Sequence, residues 1–256
     1  PRTACKQGGA PVGQFQAVSF DLDGTLWKHS ECSLHGLRIV LPRLMSHLPE
    51  DDPERVITLF NAAFLDLVRK HGLSDRRSFS RRKRFAKLLE LYGIKDREVV
   101  QELSNTYHSA RRLSMRSFLR RGATRTIEHL RQAGITVGII SDGSPAVQHQ
   151  TIRALGLEPL MDFIVISGTE GYNKPHERLF GRAVELAGVG PEHMLHVGKS
   201  PLTDVLGARR AGVCAAWLQT GDRRKPEACP APDHAITRLE EVLRLVQAGR
   251  ENTQEE

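Results

Sequence analysis

The stretch FQAVSFDLDGTL, residues 15–26, decides the fold. Phe15–Phe20 is a short apolar run that ends at Asp21, with Gly24 three residues on. It reads as a buried strand running into a turn. The same signal recurs downstream, at Ile135–Ile140, Phe163–Ile166, Met194–Val197 and Cys214–Leu218. Helical periodicity fills the intervals, at Ala123–Ala133, Ala146–Leu155, Glu177–Ala187 and Asp204–Ala211. Gly134, Gly156 and Gly188 stand where helix C-termini would stop. Ile236–Gln247 reads as a closing helix. Short apolar strands alternating with helices predict a parallel α/β sheet with right-handed crossovers.

The alternation is interrupted once, directly after the first strand. From about Ser30 to Arg121 no strand signal appears. Arg55–Val68 places Val56, Leu59, Phe60, Ala63, Phe64 and Leu67 on one face at i, i+3, i+4 spacing. Phe85–Leu91 and Val99–Tyr107 repeat that pattern, and Gly72 and Gly93 break it. The predicted architecture is a Rossmann-like α/β core, residues 15–28 and 122–248, with an inserted helical domain at 29–121. Residues 1–14 and 249–256 are expected to be flexible tails.

Composition narrows the function classes. The chain has 256 residues, 39% hydrophobic and 26% charged, which suits a globular fold with a real core. Four cysteines, at 5, 32, 214 and 229, form no metal-type pair and no disulfide framework. A reducing, cytoplasmic location is the expectation. No apolar run reaches the ~18–20 residues a membrane span needs, and the first fourteen residues hold no signal-peptide core. The formal charge of +7 is unevenly placed: Arg69–Arg131 holds 18 Lys or Arg against 6 Asp or Glu. That basic segment is either a solvated helical face or a surface for an anionic partner. It is poor in aromatics for base stacking, so nucleic acid is disfavoured as a partner.

In a parallel sheet, ligands bind beyond the carboxyl ends of the strands. There this chain places Asp21, Asp23, Gly24 and Thr25 after the first strand, and Ser141, Asp142 and Gly143 after the second. Lys174-Pro175 follows the third at a distance, and Gly198, Lys199, Ser200 and Asp204 follow the fourth. Phe20-Asp-Leu-Asp-Gly-Thr-Leu26, with Ser141, Lys174-Pro175 and Asp204-Val-Leu-Gly-Ala208, resembles the haloacid dehalogenase-like hydrolase superfamily. Most of that superfamily are phosphatases, and the long insert resembles its helical cap.

The resemblance implies roles for these residues. Asp21 matches a nucleophile that forms an aspartyl-phosphate. Asp23, two residues along an extended chain and on the same side, matches the general acid/base. Thr25 is placed to bond Asp23 or shape the turn. Ser141, with backbone N–H groups near Asp142 and Gly143, would hold phosphate oxygens. Lys174 would neutralise nucleophile and phosphate charge. Mg²⁺ is the implied cofactor, on Asp21, the Asp23 carbonyl and Asp204. A small phosphorylated metabolite is the implied substrate. Arg76, Arg77, Arg81, Arg82 and Arg84 of the insert would suit a multiply anionic one. His29, His35 and Trp27 could line the cleft or simply pack. His196 is expected in the core, and Cys32 is expected to be inert.

One position departs from the family. Relatives usually read Val-Gly-Asp where this chain reads Val197-Gly198-Lys199, and that Asp ligates Mg²⁺. Lys offers no oxygen ligand. Metal binding is then impaired, or the ammonium partly replaces the cation, or Lys199 is a deliberate substitution that traps an inactive form. Gly198-Lys199-Ser200 is not a P-loop, since His193 stands where that motif needs its first Gly. Asp142 is a smaller departure, because relatives often have Asn there. A phosphomonoester hydrolase is the leading expectation. The alternatives are a catalytically silent phosphate-binding or regulatory protein, and a dehalogenase-type hydrolase. The dehalogenases lack a carboxylate at the position of Asp23, which favours phosphoryl transfer.

Overall fold

A computed structural model describes residues 15–48, 50–72, 80–221 and 229–247. The predicted tails and the pair Arg76 and Arg77 lie outside the described residues. Contacts divide the chain into two compact units, one of Ser30–Ser117 and one of the chain up to His29 and from Phe118 onward.

The second of these is the α/β unit. Its strands are β1 (Ala17–Phe20), β2 (Thr136–Ser141), β3 (Phe163–Ile166), β4 (Met194–Gly198), β5 (Cys214–Leu218) and β6 (His234–Ile236). All pair in parallel, in the order β3-β2-β1-β4-β5-β6. Every residue of β1, β4 and β5 is buried, which is why these strands read as unbroken apolar runs. From β1 the chain winds outward to β3, then returns to β4 on the other side. The β1–β4 boundary is therefore the switch point at which parallel sheets open a crevice.

The structure differs from expectation at the last segment. Ile236 ends a sixth strand, and the closing helix covers only Glu241–Gln247. Three residues at a sheet edge, paired with β5 alone, are too few to show a period in the sequence. Residues Phe118–Arg120 are tied to the first loop. Lys28 N–H donates to the Phe118 carbonyl (2.8 Å), and Arg120 N–H donates to the Leu26 carbonyl (2.8 Å).

The other unit is helical, with α1 (His29–Met45), α2 (Pro53–His71), α3 (Arg81–Glu90) and α4 (Arg97–Ser114). Each of the last three starts on a capping side chain: Asp52, Ser80 and Asp96 accept from N–H groups of the first turn. Helix α2 ends on Arg69, Lys70 and His71, the sign that suits the negative end of the helix dipole. Leu37, Phe60, Phe85, Leu89, Leu103 and Tyr107 belong to its buried core. Each such side chain contributes roughly 1.5–3 kcal/mol of transfer free energy.

Candidate active site

The α/β unit gathers the chemistry at the carboxyl ends of β1, β2 and β4. Asp21 follows β1 directly, and its N–H donates to the Val197 carbonyl (2.9 Å) of the neighbouring strand. Its carboxylate is held at both oxygens. Oδ1 accepts from Lys174 Nζ (2.7 Å), and Oδ2 accepts from the Thr25 hydroxyl (2.7 Å). Lys174 Nζ also donates to Asp204 Oδ1 (2.7 Å) and to the Ile140 carbonyl (3.3 Å). The Lys174 N–H donates to Asp142 Oδ1 (2.9 Å). Thr25 thus bonds Asp21 rather than Asp23, and Asp142 turns toward the backbone of Lys174. Asp204 rides on a wide helical turn at Pro201–Val205, with Oδ2 accepting from Ser200 N–H (2.9 Å). A Cβ at Gly198 would fall 2.3 Å from the Asp204 Cβ, so glycine is what lets this turn close against β4.

Burial and charge compete in this cluster. The Lys174 side chain is 3% exposed, which disfavours its charge, but Asp204 and Asp21 outweigh that and hold its pKa above the usual lysine range. Burial pushes Asp21 up to about 6 against the pull of Lys174. Burial would raise Asp204 too, yet Lys174 and His196 hold it well below the usual carboxylate range. His196 is fully buried, and burial lowers its pKa. Its Nδ1 lies 2.9 Å from the Ser19 hydroxyl and its Nε2 lies 3.6 Å from Asp204 Oδ1. It is a core residue that also touches the site.

Asp23 is oriented by two donors. Trp27 Nε1 donates to Oδ1 (2.8 Å), and Gln148 Nε2 donates to Oδ2 (3.1 Å). The same Gln148 nitrogen lies 2.8 Å from both the Ser141 hydroxyl and the Asp142 carbonyl. Gly143 N–H donates to the Ser167 hydroxyl (2.9 Å). The Asp23–Trp27 turn needs glycine at 24, where φ is +88°. Arg120 clamps it, donating from Nη2 to the Gly24 carbonyl (2.6 Å) and from Nε to the Thr25 carbonyl (2.8 Å). Gln148, Arg120, Ser167 and Ser19 were not singled out by sequence, and His196 was, as a core residue. Trp27 was, and it is fully buried behind Asp23 with His29 edge-on to its ring at 5.3 Å.

Lys199 points back at β1. A Cβ on Gly24 would lie 2.0 Å from its Nζ, so the ammonium rests against the Gly24 α-carbon. Its own carbonyl accepts from Trp217 Nε1 (3.1 Å). Among the described residues no hydrogen bond or ion pair engages the Lys199 ammonium. In the helical unit, burial pushes the Cys32 thiol up, as an inert cysteine requires. Arg81 donates to the Tyr107 hydroxyl (3.1 Å), Arg82 is exposed, and Arg84 is buried over the ring of Phe64 at 4.2 Å.

This arrangement has known counterparts. The family model for haloacid dehalogenase-like hydrolases matches residues 15–212. The chain belongs to that family. A glyceraldehyde 3-phosphate phosphatase from Pyrococcus furiosus is 28% identical over 93% of this chain and 95% of its own length. Among solved structures, the HAD hydrolase YfnB from Bacillus subtilis, bound to magnesium, superposes with a TM-score of 0.71. It is 22% identical over 91% of this chain and 99% of that one. A 2-haloacid dehalogenase from Pseudomonas syringae gives 0.67 and is 24% identical, over 91% and 98% of the two chains. These two likenesses show the fold.

Phosphatases of this family generally use Mg²⁺. The donors of this chain do not fit that ion. Asp21 and Asp204 are bridged by the Lys174 ammonium, and the third carboxylate position holds Lys199. Among the described residues no three His, Cys, Asp or Glu side chains converge as a metal ion requires. Mg²⁺ demands a near-octahedral shell of oxygens, and two neighbouring ammonium groups oppose it.

Proposed function

We propose that this hydrolase cleaves the phosphate monoester of a small metabolite through an aspartyl-phosphate. The observation that carries the reading is the paired setting of Asp21 and Asp23. Asp21 is buried between Lys174 and Thr25, and Asp23 is part-exposed and aimed by Trp27 and Gln148. Asp21 acts as nucleophile: an oxygen lone pair forms the O–P bond as the bond from phosphorus to the ester oxygen breaks. Asp23 supplies the proton that the departing alkoxide takes. Asp23, now a carboxylate, removes a proton from water, and that oxygen attacks phosphorus. The Asp21 carboxylate and inorganic phosphate leave, and Asp23 ends protonated as it began. Lys174 balances the charge on Asp21, and the Ser141 hydroxyl offers a donor to phosphate. The Pyrococcus relative makes a three-carbon sugar phosphate the first substrate to try.

The test is release of inorganic phosphate from an aryl phosphate and from glyceraldehyde 3-phosphate, compared with Asp21→Asn. Removing the nucleophile abolishes turnover by at least ~10³-fold. Equal rates in both proteins would refute the assignment. The second reading, a phosphate-binding protein without turnover, is favoured by Lys199 alone. It predicts phosphate binding with no release from either ester. A dehalogenase is disfavoured by Asp23, since cleavage of a carbon–halogen bond needs no proton donor for the leaving group.

A further inference from the structure

The geometry points to Lys199 as a built-in cation that lets this site bind phosphate without a divalent metal. The inference rests on the phosphate-site reading above and specifies how that site neutralises charge.

Three observations carry it. The first is position. Phe20 and Val197 are register partners, so Lys199 leaves β4 two residues beyond the pairing that sets Asp21 at the end of β1. The second is direction. Lys199 turns its Nζ toward the nucleophile loop and rests it on Gly24, the residue that follows Asp23. A larger residue at 24 would leave no room for it. The third is availability. The other site lysine, Lys174, is spent on Asp21 and Asp204, whereas no described residue hydrogen-bonds or ion-pairs with the Lys199 ammonium. Lys199 is only half-buried, so solvent or a ligand can reach it.

Charge accounting gives the same answer. Lys174 alone faces three carboxylates at the site, Asp21, Asp142 and Asp204. A phosphate dianion entering such a site needs further positive charge. A carboxylate with a bound dication carries one net positive charge, and a single ammonium carries the same. Lys199 thus restores the balance that an Asp–Mg²⁺ pair would set, with three N–H donors in place of an open coordination position.

The test uses the full chain and inorganic phosphate as the probe. Calorimetry in EDTA and in Mg²⁺ gives the same phosphate affinity for the natural protein. Mn²⁺ as a paramagnetic reporter keeps its full free-ion signal when this protein is added. Lys199→Asp reverses both results, quenching the Mn²⁺ signal and binding phosphate only with the metal present. Lys199→Gln loses phosphate affinity by about tenfold or more, the worth of one charged hydrogen bond. Lys199→Arg retains most of it. Metal-dependent phosphate binding by the natural protein, or Mn²⁺ capture by it, overturns the inference without any variant. So does unchanged affinity in a folded Lys199→Gln. Ester hydrolysis that occurs only with Mg²⁺ would sink this inference and leave the phosphatase reading standing. Metal-free phosphate binding without hydrolysis would do the opposite.

Discussion

Replacing Lys174 with Met tests the buried ammonium that bridges two carboxylates. The substitution keeps the stem and removes an ammonium that is 2.7 Å from Asp21 and 2.7 Å from Asp204. Both acids are buried, with side chains 9% and 2% exposed, so water cannot take over the lost charge. Breaking one buried ion pair by deleting a partner costs about 3–5 kcal/mol. Here one deletion strands two carboxylates, which places the loss near ~5 kcal/mol at pH 7. At about 2–4 °C per kcal/mol for a unit of this size, the melting temperature falls by ~10–20 °C. The pH dependence has a definite sign. Asp204 is held below its ordinary pKa by Lys174, so its contribution is present above about pH 4, the unfolded value, and fades as pH falls. The variant lacks that contribution, and its stranded acids are relieved by protonation. Between pH 7 and pH 4 the gap between the two proteins narrows as the variant's stranded acids take up protons, and the loss of the Asp204 contribution closes it further only below about pH 4. Thermal unfolding by circular dichroism across pH 4–8 measures it. A gap under ~3 °C at pH 7, or one that does not change with pH, would refute the reasoning.

Three further outcomes follow from the same structure. In the proposed mechanism Asp21 must be ionised to attack, and its pKa is pushed up to about 6 by burial, so kcat/KM falls below pH ~6 rather than near the ordinary carboxylate value; a pH–rate profile with an acid limb near 4 would contradict this. Gly198→Ala drives a methyl to 2.3 Å from the Asp204 Cβ, so that turn must move; it should lose stability by roughly 1–3 kcal/mol and most phosphatase activity, read by chemical denaturation and phosphate release. Arg84 is 8% exposed, its Nε has no hydrogen-bond partner among the described residues, and Arg81 repels it, so Arg84→Met should stabilise the helical unit by about 1–3 kcal/mol despite the lost stacking on Phe64; a lower melting temperature would show the stacking to dominate.

The backbone plan was legible because each level of the sequence agreed. Apolar runs of four to six residues, each followed by a turn residue, marked five of the six strands. The missing one, His234–Ile236, has too few residues to carry a period and owes its shape to β5. The candidate site residues stood out as an ordered set, since Asp21, Asp23, Ser141, Lys174 and Asp204 each lie at the carboxyl end of a strand or in the segment that follows one. What could not be read was who bonds whom. Thr25 holds Asp21 and Trp27 holds Asp23, a choice made by the handedness of one turn at Gly24. Gln148 reaches Asp23 across 125 positions of sequence, and no local signal marks it.

The Ser19–His196–Asp204 chain shows what decides such contacts. Ser19 and His196 are register partners across β1 and β4, so their side chains share a face only once that pairing is set. A one-residue slip of β1 would turn Ser19 to the other face and leave the hydroxyl and the imidazole parted in apolar surroundings. The pairing that buries them also places Asp21 opposite Gly198, and from there Asp204 and Lys199 follow. The polar pair inside the sheet and the charged cluster at its end are thus set by one register. A variant such as Ser19→Val, which removes the hydroxyl while keeping the strand, should leave the cluster in place. It should also leave His196 with Asp204 as its nearest polar contact, so the imidazole pKa should shift when followed by NMR titration. An unchanged titration would mean that Ser19 does not orient the ring, and that the register is held by packing alone.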